Sequence, residues 1–147
     1  VVDSYFLDLF AGTGAVGIEA LSRGAKLAFF VELNRKVAAL IRQNLEAAAF
    51  ADCAEVYAVD VIRSLNLLQA KGAKFDIIFL GAPYDSPLLE KALSKIAESE
   101  IVQASGVVIA EHRKQHVLQA EYGKLNLRRD ARYGETVLSF YTIRDKN

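Results

Sequence analysis

The sequence predicts an α/β fold: a mostly parallel sheet wound with helices on both faces and finished by a C-terminal antiparallel hairpin. Three observations predict it. Short apolar runs alternate with helical patterns along most of the chain, the arrangement that builds a parallel sheet. Those runs are nearly continuous in apolar character, as residues 75–80 are after Asp76, which marks strands buried on both faces. The last two strand patterns, 125–133 and 135–143, meet at Gly134, so at least one of them runs antiparallel.

Each element has a local reason. Residues 5–10 are a short apolar run that ends at Gly12-Thr13-Gly14. Residues 15–23 read as a helix, with Val16, Ile18, Ala20 and Leu21 apolar and Gly24 stopping it. Residues 27–31 form a second buried run closed by Glu32. Asn34 is an N-cap for a helix reaching Ala49, because Val37, Leu40, Ile41, Leu45 and Ala48 recur at helical spacing. Residues 55–59 are a third strand ending at Asp60, and 61–70 suit a helix that Lys71-Gly72 breaks. Residues 75–80 are a fourth strand, followed by Gly81-Ala82-Pro83-Tyr84. Pro87 opens a helix running to about Ser99, and 107–110 are a fifth strand. No internal repeat, low-complexity tract or linker interrupts this order.

Composition sets the class. A chain of 147 residues with 52% hydrophobic and 24% charged residues suits one ordinary domain and excludes wholesale disorder. No apolar stretch approaches the ~20 residues of a membrane span. Lys plus Arg and Asp plus Glu are both 18, so a surface that grips nucleic acid everywhere is not expected, whereas a local basic patch is. Cys53 is the single cysteine, and with no signal-peptide pattern the chain reads as cytoplasmic and soluble. No His/Cys/Asp cluster has metal-ligand spacing, so no metal is expected. The chain starts at Val1 and contains no Met, which points to processing or trimming ahead of the first strand.

Open parallel sheets bind ligands at the carboxyl ends of their strands. Here those ends carry Asp8 with Gly12 and Gly14, then Glu32, then Asp60, then Pro83-Tyr84. Residues 12–17 satisfy G-x-G-x-x-G, and Glu32 follows Gly12 by twenty residues, so a nicotinamide dinucleotide and an oxidoreductase are one reading. The charge of Asp8 beside the loop opposes a pyrophosphate and favours a ligand carrying an ammonium group. S-adenosylmethionine is such a ligand: its ribose hydroxyls can donate to Glu32 and its adenine amino group to Asp60. Ordinary solvated strand-end carboxylates and a plain tight turn are the competing readings. Cys53 reads as a small half-buried residue, and His112 and His116 as surface or core-edge residues.

At this point the residues resemble a family. Leu7-Asp8-Leu9-Phe10-Ala11-Gly12-Thr13-Gly14-Ala15-Val16-Gly17-Ile18-Glu19-Ala20-Leu21-Ser22-Arg23-Gly24-Ala25 resembles the cofactor loop and first helix of bacterial 16S rRNA guanine-N2 methyltransferases. Phe30-Val31-Glu32 with Asn34-Arg35-Lys36 is similar to their second strand end, and Arg132-Tyr133-Gly134-Glu135-Thr136-Val137-Leu138-Ser139-Phe140-Tyr141 to their closing hairpin. The resemblance spans nearly the whole chain. It implies the seven-stranded, Rossmann-like methyltransferase sheet with an antiparallel last strand, in a single domain that lacks the family's N-terminal segment. It implies S-adenosylmethionine as cofactor, held by Asp8, Phe10, Ala11, Gly12, Gly14, Glu32, Leu33, Asp60 and Val61. It implies 16S rRNA or a small-subunit ribosomal particle as partner, with no membrane and a monomeric protein.

One departure bears on chemistry. The family pattern after the fourth strand is Asp-Pro-Pro-Tyr, and this chain has Gly81-Ala82-Pro83-Tyr84. The exocyclic amine of a base is a poor nucleophile because its lone pair is delocalised. An acidic side chain and a backbone carbonyl accept its hydrogen bonds and stabilise the charge that develops, and an aromatic residue stacks on the base. Tyr84 and the carbonyls of Ala82 and Pro83 remain, but Gly81 has no carboxylate, so impaired transfer is expected; a homologue that binds cofactor or RNA without catalysis is the alternative. Between His112 and Tyr133, Arg113, Lys114, Lys124, Arg128, Arg129 and Arg132 face only Glu121 and Asp130. Within that stretch Arg113, Lys114, Arg128, Arg129 and Arg132 are the expected phosphate contacts, against a solvated basic edge.

Overall fold

In the computed structural model, which describes residues 1–143, the alternation resolves into β1 (Tyr5–Leu9), α1 (Ala15–Ser22), β2 (Leu27–Val31), α2 (Arg35–Ala47), β3 (Ala54–Tyr57) and α3 (Val61–Ala70). It continues through β4 (Phe75–Leu80), α4 (Leu88–Glu98), β5 (Val102–Arg113), β6 (Glu121–Tyr122), β7 (Leu125–Tyr133) and β8 (Thr136–Ile143). The strands form one sheet in the order β3-β2-β1-β4-β5-β8-β7-β6. Pairs among β1 to β5 are parallel, β8 runs antiparallel to β5, and β7 returns antiparallel to β8. The chain winds outward from β1 in one direction and then from β4 in the other. The crevice between the carboxyl ends of β1 and β4 is therefore the switch point where this architecture binds ligands.

Strand periodicity sorts the core into two layers. Leu7, Leu9, Phe29, Val31, Ile78 and Leu80 face one side and pack under Leu65 and Leu68 of α3 and Leu89, Leu93 and Ile96 of α4. Phe6, Ala28 and Phe30 face the other side and pack under Ala20 and Leu21 of α1 and Ile41 and Leu45 of α2. Each large side chain so buried contributes roughly 1.5–3 kcal/mol. Helix starts follow the expected chemistry. Asn34 caps α2 by accepting from the amides of Lys36 and Val37, and Asp60 caps α3 by accepting from Arg63. Among the described residues, no helix is long and apolar enough to cross a membrane.

The second layer is incomplete, and this matters for function. Val107, Ile109, Leu138 and Phe140 point to the α1/α2 side but are only half buried. The β5–β8–β7 half of that face is an open sheet surface.

Two details differ from the sequence reading. β5 begins at Val102 rather than 107, because the strand bulges: Phe75 pairs with Val102 but Ile77 with Val107. Gly106 permits it, since a Cβ there would lie 3.0 Å from the carbonyl oxygens of Gln103 and Phe75. The sheet has an eighth strand, β6, only two residues long, anchored where the Tyr122 hydroxyl donates to Glu90 and the Gln119 amide donates to Tyr122.

The loop motif is a packing requirement as well as a turn. A Cβ at Gly17 would sit 2.3 Å from Phe30 Cε2 and 3.2 Å from Asp8 Oδ2. Gly17→Ala is therefore expected to destabilise the fold by about 1–3 kcal/mol through overpacking. Urea denaturation checks this, and an unchanged midpoint would show that α1 can lift from β1 without cost.

Candidate functional site

The candidate cavity is built by the ends of β1, β2 and β4 and the start of α3. β1 delivers Phe10 in a left-handed conformation (φ 59), an uncommon backbone for a bulky residue, and Gly12 follows at φ 56. A Cβ at Gly12 would meet no atom within 4 Å, so the space beside this glycine is open. The chain then turns through Gly14 (φ 83) into α1.

β2 delivers Glu32, which works as a brace. Its Oε1 accepts from the Gly12 amide at 2.9 Å and its Oε2 from the Asn34 amide at 2.9 Å. Asp60 stands at the next strand end, with Oδ1 accepting from Arg63 at 2.9 Å. Together with Leu33, Val61, Gly81 and Pro83 these residues line a cavity of about 430 Å³, within the usual range for a small-molecule site. A larger depression of about 1020 Å³ lies at the opposite ends of the strands, near Tyr57 and Lys71. It lacks the strand-to-helix loops and switch point that make the smaller cavity the candidate site.

Three residues expected at the cofactor sit behind the loop instead of lining this cavity. Asp8 is buried and accepts from the Gly17 amide at 3.1 Å. Burial pushes its carboxyl up to about 8; the Gly17 amide opposes the rise and the nearby charge of Glu32 adds to it. Near neutral pH a large share of Asp8 is therefore protonated, which weakens the charge argument against a pyrophosphate. The Glu32 brace supplies a different one, because the Gly12 amide, which would cradle a phosphate, already serves a carboxylate. Ala11 donates its amide to the Val31 carbonyl, and Gly14 packs against Ile41. Val31 and Leu88 line the cavity although the sequence reading did not single them out.

The loop after β4 contributes Gly81 and Pro83 to the cavity wall. The Gly81 amide donates to the Leu9 carbonyl at 3.3 Å, tying the loop to β1. Ala82 is buried, while Pro83 and Tyr84 are exposed. The Tyr84 hydroxyl is 2.9 Å from Thr136 Oγ1, and the Arg113 guanidinium lies 4.8 Å from its ring centroid. Thr136 and Arg113 thus fix Tyr84 from β8 and β5.

The basic residues divide between faces. Arg128 donates to Thr142 Oγ1 and Arg129 stacks 4.1 Å over the Phe140 ring, so both lie on the open face with Tyr84's partners. Lys114 pairs with Glu135 at 3.3 Å. Arg132 lies on the other side, around a small cavity shared with Asp130 and His112. His112 is buried at the core edge, its Nε2 2.7 Å from the Ser139 hydroxyl, which donates to Asp130.

Comparison with known proteins decides the family. The family described as Conserved hypothetical protein 95 matches residues 1–142. The chain belongs to this family. It is 36% identical over 138 residues to YlbH of Bacillus subtilis, named as a candidate rRNA methyltransferase, covering 94% of this chain and 75% of that one. It is 35% identical over 109 residues to ribosomal RNA small subunit methyltransferase D of Haemophilus influenzae, covering 74% of this chain and 56% of that one. Among solved structures, a conserved hypothetical protein of Streptococcus pyogenes superposes with a TM-score of 0.85 at 28% identity, over 97% of this chain and 86% of that one. The parallel sheet with its antiparallel end is the Rossmann-like methyltransferase architecture of these relatives.

Proposed function

We propose that the chain is an S-adenosylmethionine-dependent methyltransferase acting on the exocyclic N2 amine of a guanine in 16S rRNA. The observation that carries this reading is the pairing of one cavity with one loop. Two carboxylates, Glu32 and Asp60, stand at successive strand ends in a cavity whose walls include Phe10, Leu33 and Val61, and Gly81 and Pro83 of the loop that carries Tyr84 line the same cavity. This pair of acceptors suits a nucleoside with hydroxyl and amino donors and no phosphate. Relatives named as rRNA methyltransferases support the same reading.

When bound, S-adenosylmethionine supplies an electrophilic methyl group. The chain's residues do the rest. Glu32 accepts from the ribose hydroxyls and Asp60 from the adenine amino group. Phe10, Leu33 and Val61 exclude water from the ring faces. The carbonyls of Ala82 and Pro83 accept from the target amine, and Tyr84 stacks on the base. Arg113, Arg128 and Arg129 give the open face its phosphate contacts, and Lys114 and Arg132 extend the basic edge. The loop after β4, read by itself, lacks the acidic acceptor and predicts slow transfer.

Thermal shift distinguishes this reading from the oxidoreductase. A ligand that binds only the folded state stabilises by about 2.7 kcal/mol at one hundred times its Kd. S-adenosylhomocysteine is expected to raise Tm and NAD to leave it unchanged; the reverse would reassign the cavity.

Arg128→Gln with Arg129→Gln is expected to weaken RNA binding across sequences. It should also flatten the dependence of log affinity on log salt, by roughly 0.7–0.9 for each phosphate the protein no longer neutralises. A slope identical to that of the unmodified protein would leave these arginines as a solvated edge.

A further inference from the structure

The carboxylate that the loop after β4 lacks is present one strand away. Ala110 of β5 pairs with Leu80 of β4, so Glu111 lies level with Gly81 across the sheet. A Cβ built on Gly81 would sit 3.7 Å from Glu111 Oε1 and 3.1 Å from Phe79 Cε1. An aspartate at this position would carry its oxygens roughly 2.4 Å from the same Cβ. The Glu111 carboxylate therefore occupies the neighbourhood in which an acid on the loop would work. It reaches there because glutamate is one methylene longer than aspartate.

The surroundings of Glu111 fit a ligand-facing role. It is half buried, and no described residue forms a hydrogen bond or ion pair with its carboxylate. The Phe79 ring borders the same place, since it too lies within 4 Å of a Cβ built on Gly81. The neighbouring Arg113 is turned to Tyr84 rather than to this carboxylate. Glu111 thus stands in register with the wall of the candidate cavity and on the same side of the sheet as the tyrosine that would hold a base.

We propose that Glu111 is a catalytic residue of this chain, accepting a hydrogen bond from the target amine in place of a loop aspartate. This rests on the methyl-transfer reading above. The carboxylate orients the N2 lone pair and stabilises its developing positive charge. As the lone pair forms the new N–C bond, the S–C bonding pair returns to sulfur and leaves a neutral thioether. The nitrogen then gives up one N–H proton to Glu111, which passes it to solvent. A Cβ at position 81 would clear the Glu111 carboxylate, whereas the carboxyl of an aspartate there would compete with it for the same space.

The test is methyl transfer to undermethylated small-subunit particles by four proteins: unmodified, Glu111→Gln, Gly81→Asp, and the two substitutions together. S-adenosylhomocysteine affinity is measured in parallel by calorimetry. Glu111→Gln is expected to lower the rate by about 10²–10³ with cofactor affinity within twofold of the unmodified protein. Gly81→Asp with Glu111→Gln should recover at least tenfold of that loss. Gly81→Asp alone should gain nothing, because two carboxylates would crowd one place. Full activity of Glu111→Gln, or no recovery in a double variant that binds cofactor, would overturn the proposal while leaving the methyltransferase reading intact. An unmodified protein that binds cofactor but transfers no methyl would overturn that reading, and Glu111's role with it.

Discussion

Raising the pH from about 4 to about 8 is expected to cost the folded chain on the order of a few kcal/mol through Asp8 alone. The carboxyl titrates at 3.8 when unhindered and at about 8 when buried behind the glycine loop. Between those values the folded chain holds a proton that the unfolded chain has released. Stability from this group is therefore fully present below about 4 and declines as pH rises through about 8. Asp8→Asn keeps an oxygen for the Gly17 amide and removes the titration. Denaturation across this range is the check: the difference in stability between the two proteins should shift in favour of Asp8→Asn as pH rises. A difference that stays constant with pH would mean that Asp8 ionises normally in place.

Glu32→Ala is expected to weaken S-adenosylhomocysteine binding by about 1.5–3 kcal/mol, the range for hydrogen bonds to a charged group. Two losses combine. The ribose hydroxyls lose their acceptor, and the Gly12 and Asn34 amides lose the oxygens that brace the loop. Glu32→Gln separates them, since it keeps an oxygen for one amide and lacks the charge. Calorimetry on both variants checks the assignment. An unchanged Kd for Glu32→Ala in a folded protein would remove this residue from the site.

The elements that long, regular patterns specify were legible in the residues. α2 could be read from the spacing of Ile41 and Leu45 and from Asn34, whose capping bonds are local. The closing hairpin could be read from Gly134, which turns at φ 62. What escaped depends on contacts between distant segments. β6 is two residues long and exists because Tyr122 reaches Glu90 and Gln119, which no local pattern announces. The bulge in β5 depends on a backbone approach at Gly106. Glu32 and Asp60 line the cavity with the loop, as their place at strand ends implied. Asp8 does not, because strand alternation turns it toward Gly17, behind the glycine loop. Glu111 was passed over because its relevance comes from lateral register with Gly81, and register between strands some thirty residues apart is not written in either strand.

The proposed reaction is the transfer of a methyl group to a guanine amine in small-subunit rRNA. The most direct measurement is incubation of the protein with S-adenosylmethionine carrying a labelled methyl and small-subunit particles that lack their own methylation, followed by nucleoside analysis of the digested RNA. The expected result is label in N2-methylguanosine at a single position of 16S rRNA. Label in a different nucleoside, or none at all from a protein that binds S-adenosylhomocysteine, would contradict it.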